Sequence, residues 1–175
     1  MPSPLVTLAP PSPAPTPRVA SRALEATAAR LARASFWTQL TPLTDTERWY
    51  ALLAATDTFE AWVIGWPVGG AIELHDHGGA SGAIHVVRGA LVETSTNRVL
   101  RTPLARARVV EGEAVSFGAA HVHDVVNLGD RPALSIHVYA PRLVSMTFYD
   151  DRPASFLEVM RHEALDGEPS AVHDH

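Results

Sequence analysis

The stretch that decides the fold runs from residue 69 to residue 89 and reads GGAIELHDHGGASGAIHVVRG. His75 and His77 stand two positions apart inside its strand-like run. Because successive side chains of a β-strand point to opposite faces, residues two apart share one face. Neutral imidazoles are suitable ligands for iron, zinc, copper and nickel. The pair therefore predicts either two nitrogen ligands for one metal ion or two histidines on a solvated strand face.

A second histidine motif lies further along the chain, at 112–127, and reads GEAVSFGAAHVHDVVN. His121 and His123 again stand two apart and share one face of a predicted strand. Either of them can supply a third nitrogen ligand beside the first pair, and His121 is kept as the alternative to His123.

The two stretches together resemble the paired motifs of the cupins. In that pattern a glycine, an HxH pair and a second glycine precede a third histidine, and an asparagine follows it four residues later. Asn127 stands at that spacing after His123, which favours His123 over its neighbour. Gly82 stands where most cupins place a ligand glutamate, and Gly118 and Ala120 replace the usual proline and glycine of the second motif. The resemblance implies a small β-barrel with one metal ion held by His75, His77 and His123.

Short strands separated by turn residues occupy most of the chain from Phe59 onward. Many short strands between Gly, Pro, Asn and Asp are typical of a β-sandwich or a closed barrel. Helical patterns predict short helices over residues 20–34, around 44–55 and near 154–165. We therefore expect a mainly β chain with a single cupin domain, a small β-barrel or jelly roll with short N-terminal helices, over residues 20–165.

The two ends of the chain have compositions that do not favour packing. Residues 1–19 begin with MPSPLVTLAPPSPAPTP, a segment with seven prolines and no charged side chain. Proline fixes φ and removes a backbone donor, so this Pro-rich segment is predicted to be a disordered tail. Residues 166–175 are predicted to form a loose C-terminal tail.

Composition excludes several classes of function. The 175 residues make about one domain, and the absence of cysteine rules out disulfides, CxxC metal sites and a catalytic thiol. A net charge of −5 without a basic cluster argues against a nucleic-acid partner. Neither a long apolar stretch nor a signal-peptide pattern is visible, so we expect no membrane partner and a cytoplasmic protein. The sequence leaves the oligomeric state open.

Three motifs resemble the cysteine dioxygenase (thiol dioxygenase) branch of the cupins. They are HDH at 75–77, HDVVN at 123–127 and SIHVYAP at 135–141, and the resemblance covers residues 47–150. That branch binds Fe(II) through three histidines without the glutamate. Such a site keeps the full charge of the metal and leaves open positions on one face for a substrate and O2. The resemblance implies O2-dependent oxidation of a small thiol to its sulfinic acid.

Ser135, His137 and Tyr139 alternate along one predicted strand, so all three can face the barrel interior. In the catalytic interpretation, the Tyr139 hydroxyl donates a hydrogen bond to O2 or substrate. His137 then orients the tyrosine, and Ser135 orients the histidine. The alternative is a structural row whose polar groups satisfy only one another.

The residues that would bind the substrate depart from the family pattern. Family members that act on cysteine bind its carboxylate with an arginine in a YxR run, and Tyr50 stands at that position here, with Arg48 two residues away. Relatives that act on mercaptopropionate use an arginine shortly after the tyrosine, and Arg142 is out of step with it. A guanidinium binds carboxylates bidentately, which makes three arginines candidates. The candidate substrate-binding residues are Arg48, Tyr50, Arg88 and Arg142.

These departures widen the range of substrates. Gly82 also occupies the place of the cysteine that crosslinks to the tyrosine in animal members, and no crosslink can form here. Cysteine stays one candidate, and another small thiol, or a thione such as ergothioneine, becomes reasonable. The alternative functions are a metal-dependent cupin enzyme acting on a sulfur-free substrate and a non-catalytic metal-binding cupin.

Overall fold

The computed structural model describes residues 21–34, 36–39, 46–150 and 157–165. Both predicted tails, 1–19 and 166–175, lie outside the described residues. The elements are α1 (Ser21–Arg33), a 3-10 turn (Phe36–Gln39), β1 (Trp49–Ala55), β2 (Glu60–Trp66), β3 (Ala71–Asp76), β4 (Ser81–Arg88), β5 (Ala90–Asn97), β6 (Ala105–Val110), β7 (Ala114–Phe117), β8 (His121–Val126), β9 (Ala133–Ala140), β10 (Ser145–Tyr149) and β11 (Val159–Ala164).

The strands form two antiparallel sheets. One has the strand order β1-β2-β9-β4-β7, and the other has the order β11-β10-β3-β8-β5-β6. Apolar side chains from both sheets meet between them and form a continuous core, which includes Ile64 and Trp66 from the first sheet and Leu91 and Val125 from the second. This arrangement confirms the predicted mainly β, cupin-type architecture.

Strand β9 is buried on both faces and carries the polar row. Leu134, Ile136 and Val138 point outward and pack under α1, in a second core with Leu24 and Ala28. The alternate side chains of the strand face the other sheet, as the period of two requires. All eight residues of β9 are therefore buried, including the polar ones.

Helix α1 covers the outer face of the first sheet, and its position confirms the prediction of a helix over 20–34. Leu24 and Ala28 lie one helical turn apart and are at most 1% exposed. Burying the Leu24 side chain contributes about 2 kcal/mol to folding. None of the helices in the described part of the chain has the length and apolarity needed to span a bilayer.

The predicted helix around 44–55 is wrong where the structure describes it. Trp49–Ala55 form strand β1, which pairs with β2 in antiparallel register. Trp49 packs in the core beneath α1, whereas Tyr50 packs against the core between the sheets. The Ala- and Leu-rich segment has good helix propensity, but pairing with β2 and partial burial of the strand override it.

The predicted helix near 154–165 is also wrong in its described part. Val159–Ala164 form the edge strand β11, which pairs with β10 alone. Every residue of β11 is exposed. With no buried face, its sequence shows no alternation of apolar and polar residues from which a strand could be recognised. Backbone hydrogen bonds to the open edge of β10 decide its conformation.

Candidate metal centre

Three histidines meet between the two sheets. His75 lies on β3 directly opposite His123 on β8, and His77 follows the last residue of β3. The ring centroids of His75 and His123 are 4.8 Å apart, and His77 lies 4.9 Å from each. One ring nitrogen of each histidine lies within 4.8 Å of the others, a grouping that can hold a metal ion. All three side chains are at most 2% exposed.

Hydrogen bonds orient two of the three rings. His75 Nδ1 donates to the backbone oxygen of Glu73 at 2.6 Å, and His123 Nδ1 donates to Glu93 Oε1 at 2.6 Å. Each bond leaves the Nε2 atom of its ring free of the proton and available to a metal.

Neither ring nitrogen of His77 has a hydrogen-bond partner among the described residues, although both are buried. Buried polar atoms without a partner are rare, and an imidazole surrounded by two others is satisfied by coordination to a shared ion. The three residues therefore fit a metal ion with nitrogen ligands.

The protonation state also suits metal binding. Burial lowers the pKa of His75 and His77 well below the usual value, and the neighbouring His123 lowers it further. Burial likewise lowers the pKa of His123, against the raising effect of Glu93. All three imidazoles are thus neutral at pH 7, the form that binds metals.

Glu93 on β5 lies behind the centre and links it to His121. Its Oε1 atom accepts bonds from His123 Nδ1 and, at 2.9 Å, from His121 Nε2. Burial raises the pKa of Glu93, but these two hydrogen bonds outweigh burial and lower the pKa to about 2. His121 therefore sits in a second group with Glu93 and His123, and not in the three-histidine group. Sequence reasoning missed Glu93, which has no motif around it.

The polar row of β9 lies beside the histidines, and Trp66 on the neighbouring strand β2 adds a member that the sequence did not indicate. Trp66 Nε1 donates to Ser135 Oγ at 2.8 Å. Ser135 Oγ lies 2.9 Å from His137 Nε2, and His137 Nδ1 lies 3.1 Å from the Tyr139 hydroxyl. The Tyr139 ring is 5.0 Å from that of His77, so the row ends at the histidine cluster.

The donors and acceptors of this row allow a chain of hydrogen bonds that runs from Trp66 to Tyr139. Burial lowers the pKa of His137 to about 3, so its ring is neutral and carries one proton. Trp66 can only donate, so Ser135 Oγ accepts from it and keeps its own proton for a second bond. In the tautomer with the ring proton on Nδ1, Ser135 donates to His137 Nε2 and His137 donates to the Tyr139 oxygen. Burial raises the pKa of Tyr139, so its phenol keeps a proton that the row does not use.

The structure separates the candidate substrate-binding residues. The Arg48 guanidinium carbon lies 5.1 Å from the Trp66 ring centroid and 5.9 Å from that of Tyr50. Its charge lowers the pKa of His75, His137 and Tyr139, which places it at the centre. Arg48 directly precedes β1, and because this part of the chain is not helical its guanidinium lies over the Tyr50 ring.

The other two arginines lie elsewhere. Arg142 Nε is 3.4 Å from Glu60 Oε2, and that buried carboxylate also accepts bonds from Trp62 Nε1 and the Leu143 backbone nitrogen. Arg88 is exposed at the end of β4. The structure thus brings Arg48 close enough for its charge to act on His75 and His137, places Tyr50 beside Arg48, and leaves Arg88 at the surface.

Asp76, which lies between two of the histidines, points to the opposite face of β3. It is 1% exposed. Its Oδ2 atom accepts from the Tyr149 hydroxyl at 2.7 Å and from Arg98 at 3.2 Å, and Oδ1 accepts from the Gly78 backbone nitrogen. This network holds the backbone of the HDH run in place from behind.

Comparison with known proteins gives a family and a fold. Residues 22–152 match the family model of cysteine dioxygenase type I. No curated protein matches the sequence. The Thermus thermophilus protein TT1209 superimposes with a TM-score of 0.53 at 20% identity, over 62% of this chain and 97% of that one. A Klebsiella pneumoniae protein with a double-stranded β-helix domain has a TM-score of 0.50 at 17% identity, over 62% and 90%. At these identities the likeness to the two structures shows the fold alone.

Proposed function

This chain belongs to the cysteine dioxygenase type I family, and we propose that it oxidises a small thiol or thione to its sulfinic acid with O2. The proposed metal is Fe(II), held by His75, His77 and His123. The observation that carries the proposal is the buried group of three neutral imidazoles beside the Tyr139 ring. No carboxylate joins this group among the described residues.

The proposed reaction needs no second reductant. A thiol and one O2 molecule combine to a sulfinic acid, with both oxygen atoms on sulfur. Sulfur loses four electrons and O2 gains four, and the thiol proton is released as the acid ionises. A bound Fe(II) supplies the positive charge that favours the thiolate and the redox chemistry that O2 requires.

In this proposal Tyr139 is the hydrogen-bond donor to the reacting atoms. When the hydrogen bonds run from Trp66 through Ser135 and His137 to the Tyr139 oxygen, the phenol proton is free to bond to substrate or O2. The raised pKa of Tyr139 keeps that proton on the oxygen at neutral pH. Ser135 and His137 are positioning residues, because they act through the tyrosine.

We further propose that Arg48 binds an anionic group of the substrate. It is half-buried beside Trp66, and its charge reaches the histidines and Tyr139. Arg142 is the weaker candidate because the buried Glu60 carboxylate already pairs with it. Tyr50 and Trp62, in edge-on contact at 5.8 Å, line the same side and suit a ring or a quaternary amine. A carboxylate on an aromatic or betaine thione fits this combination as well as a plain amino acid does.

Oxygen uptake by the anaerobically Fe(II)-loaded protein tests the proposal. The panel is cysteine, cysteamine, mercaptopropionate, mercaptosuccinate and ergothioneine. We expect uptake with at least one of these compounds, and both sulfinate oxygens should be labelled under 18O2. His123→Ala should abolish uptake, and the matched control His121→Ala should retain it. Stoichiometric metal binding without uptake on any compound would favour a non-thiol or non-catalytic cupin, and label entering from water would exclude the dioxygenase reaction.

A further inference from the structure

The space beside Gly82 is filled by the ring of Phe117. The two residues are cross-strand partners on β4 and β7. A Cβ atom added to Gly82 would lie 2.4 Å from Phe117 Cζ, 2.6 Å from Cε2 and 3.1 Å from Tyr139 Cδ1. Real Cβ atoms do not approach other atoms so closely. Residue 82 therefore cannot carry a side chain while the Phe117 ring keeps its place.

The same ring lies flat between two histidines. Phe117 stacks on His77 with centroids 4.9 Å apart and planes 20° apart, and on His121 at 4.6 Å and 12°. Phe117 is 5% exposed. It therefore packs in the wall of the metal centre and is not a surface ring.

The stack on His77 matters because His77 lacks the orienting hydrogen bond that His75 and His123 each have. His75 and His123 are each oriented by a hydrogen bond from Nδ1, whereas neither nitrogen of His77 has a partner in the described part of the chain. A metal-binding histidine is ordinarily oriented by such a bond. Around His77 the flat contact with Phe117 and the tilted contact with Tyr139, at 5.0 Å, restrict the ring instead.

We propose that Phe117 is the positioning residue for His77 and closes the side of the metal centre from which a fourth protein ligand would come. The ring substitutes for a hydrogen bond by restricting rotation of the imidazole. Its position over Gly82 also fills the space into which a longer side chain at this position would have to extend. This inference rests on the proposed three-histidine metal site and is independent of the thiol.

Co(II) binding to the full-length protein tests the positioning role. The variant is Phe117→Leu, and the matched control is Phe148→Leu. Phe148 is equally buried and lies 5.7 Å from the His75 ring, but the Glu73 carbonyl already orients that ring. We expect Phe117→Leu to raise the Kd for Co(II) tenfold or more, the range of about 10- to 100-fold found when an outer support is removed. The visible absorption bands of bound Co(II) should also change, while the control shifts the Kd by less than about threefold. Equal effects of the two variants would overturn the proposal.

A second pair of variants remains informative if Phe117→Leu does not fold. Gly82→Ala forces the Phe117 ring away from its place, and Gly65→Ala introduces an even closer clash with Trp49, away from the histidines. Both should lower stability, but only Gly82→Ala should weaken Co(II) binding and change the spectrum. Gly82→Ala protein that binds Co(II) like the unmodified chain would refute the role of Phe117. Absence of Co(II) binding by the unmodified chain would instead refute the three-histidine site itself.

Discussion

Replacing Glu93 by glutamine tests the electrostatics behind the histidine cluster most directly. Glu93 is 7% exposed, and its Oε1 atom accepts bonds from both His123 and His121. A pKa lowered from the ordinary 4.5 to about 2 corresponds to about 3 kcal/mol of stabilisation of the ionised carboxylate in the folded protein. The amide oxygen of glutamine can still accept one bond, so we expect Glu93→Gln to lower the unfolding free energy by about 2 kcal/mol at pH 7.

The pH dependence of this difference follows from the sign of the shift. Because the folded pKa of Glu93 lies below the unfolded one, its stabilisation is complete above pH 4.5 and is lost as the pH falls towards 2. At pH 3.5 most unfolded molecules carry a proton on Glu93, whereas in the folded protein Glu93 is still ionised. The stabilisation by Glu93 is then about 1.4 kcal/mol smaller than at pH 7.

Urea unfolding of the metal-free protein at pH 7 and pH 3.5 measures both quantities. Glu111→Gln is the control: that carboxylate is exposed, its contact with Arg131 is long at 3.9 Å, and the glutamine oxygen can still accept the 3.3 Å bond from the Gly89 backbone nitrogen. We expect no measurable effect from it. A difference between Glu93→Gln and the unmodified chain below about 0.5 kcal/mol at pH 7, or one that does not shrink in acid, would contradict the reasoning.

Four further substitutions address the row of β9, the substrate anchor and the fold. Tyr139→Phe should lower kcat by about 100-fold or more in the oxygen-uptake assay and leave Co(II) affinity unchanged, and an unchanged kcat would remove the tyrosine from the mechanism. Trp66→Phe should lower kcat by a smaller factor with KM unaltered, because it removes the hydrogen bond to Ser135 and acts on Tyr139 only through Ser135 and His137. A change confined to KM would contradict this role. Arg48→Ala should raise KM for an anionic thiol by about tenfold or more, with Arg142→Ala nearly neutral, and the reverse order would move the anchor to Arg142. Leu24→Ala should lower the unfolding free energy by about 3 kcal/mol in urea, and a loss below about 1 kcal/mol would mean that α1 is not docked.

The strand positions of the site were predictable from sequence because they depend on local periodicity. A period of two puts His75 and His77 on one face, and the same rule aligns Ser135, His137 and Tyr139. The family match over residues 22–152 confirms the resemblance that these motifs carry. Helix α1 was predictable for the same reason, since its apolar residues recur at helical spacing.

The two wrong helices show where local patterns fail. The WYALLAA segment of β1 has favourable helix propensity, and its strand conformation comes from pairing with β2. The exposed edge strand β11 has no burial pattern at all. In both segments the hydrogen bonds that decide the conformation run to a neighbouring strand. The helix propensity of a short stretch of sequence contains no information on that pairing.

What the sequence by itself determined is the set of chemical groups: two histidine motifs, a polar row on one strand, no cysteine and a glycine in place of a ligand carboxylate. Only the tertiary structure decided which groups meet. Cross-strand register places His123, and not His121, opposite His75. The approach of β5 to β8 brings Glu93 behind the cluster, and the pairing of β4 with β7 lays Phe117 over Gly82. Periodicity assigns a side chain to a face, but register between distant strands sets the distances of a few ångströms on which coordination and stacking depend.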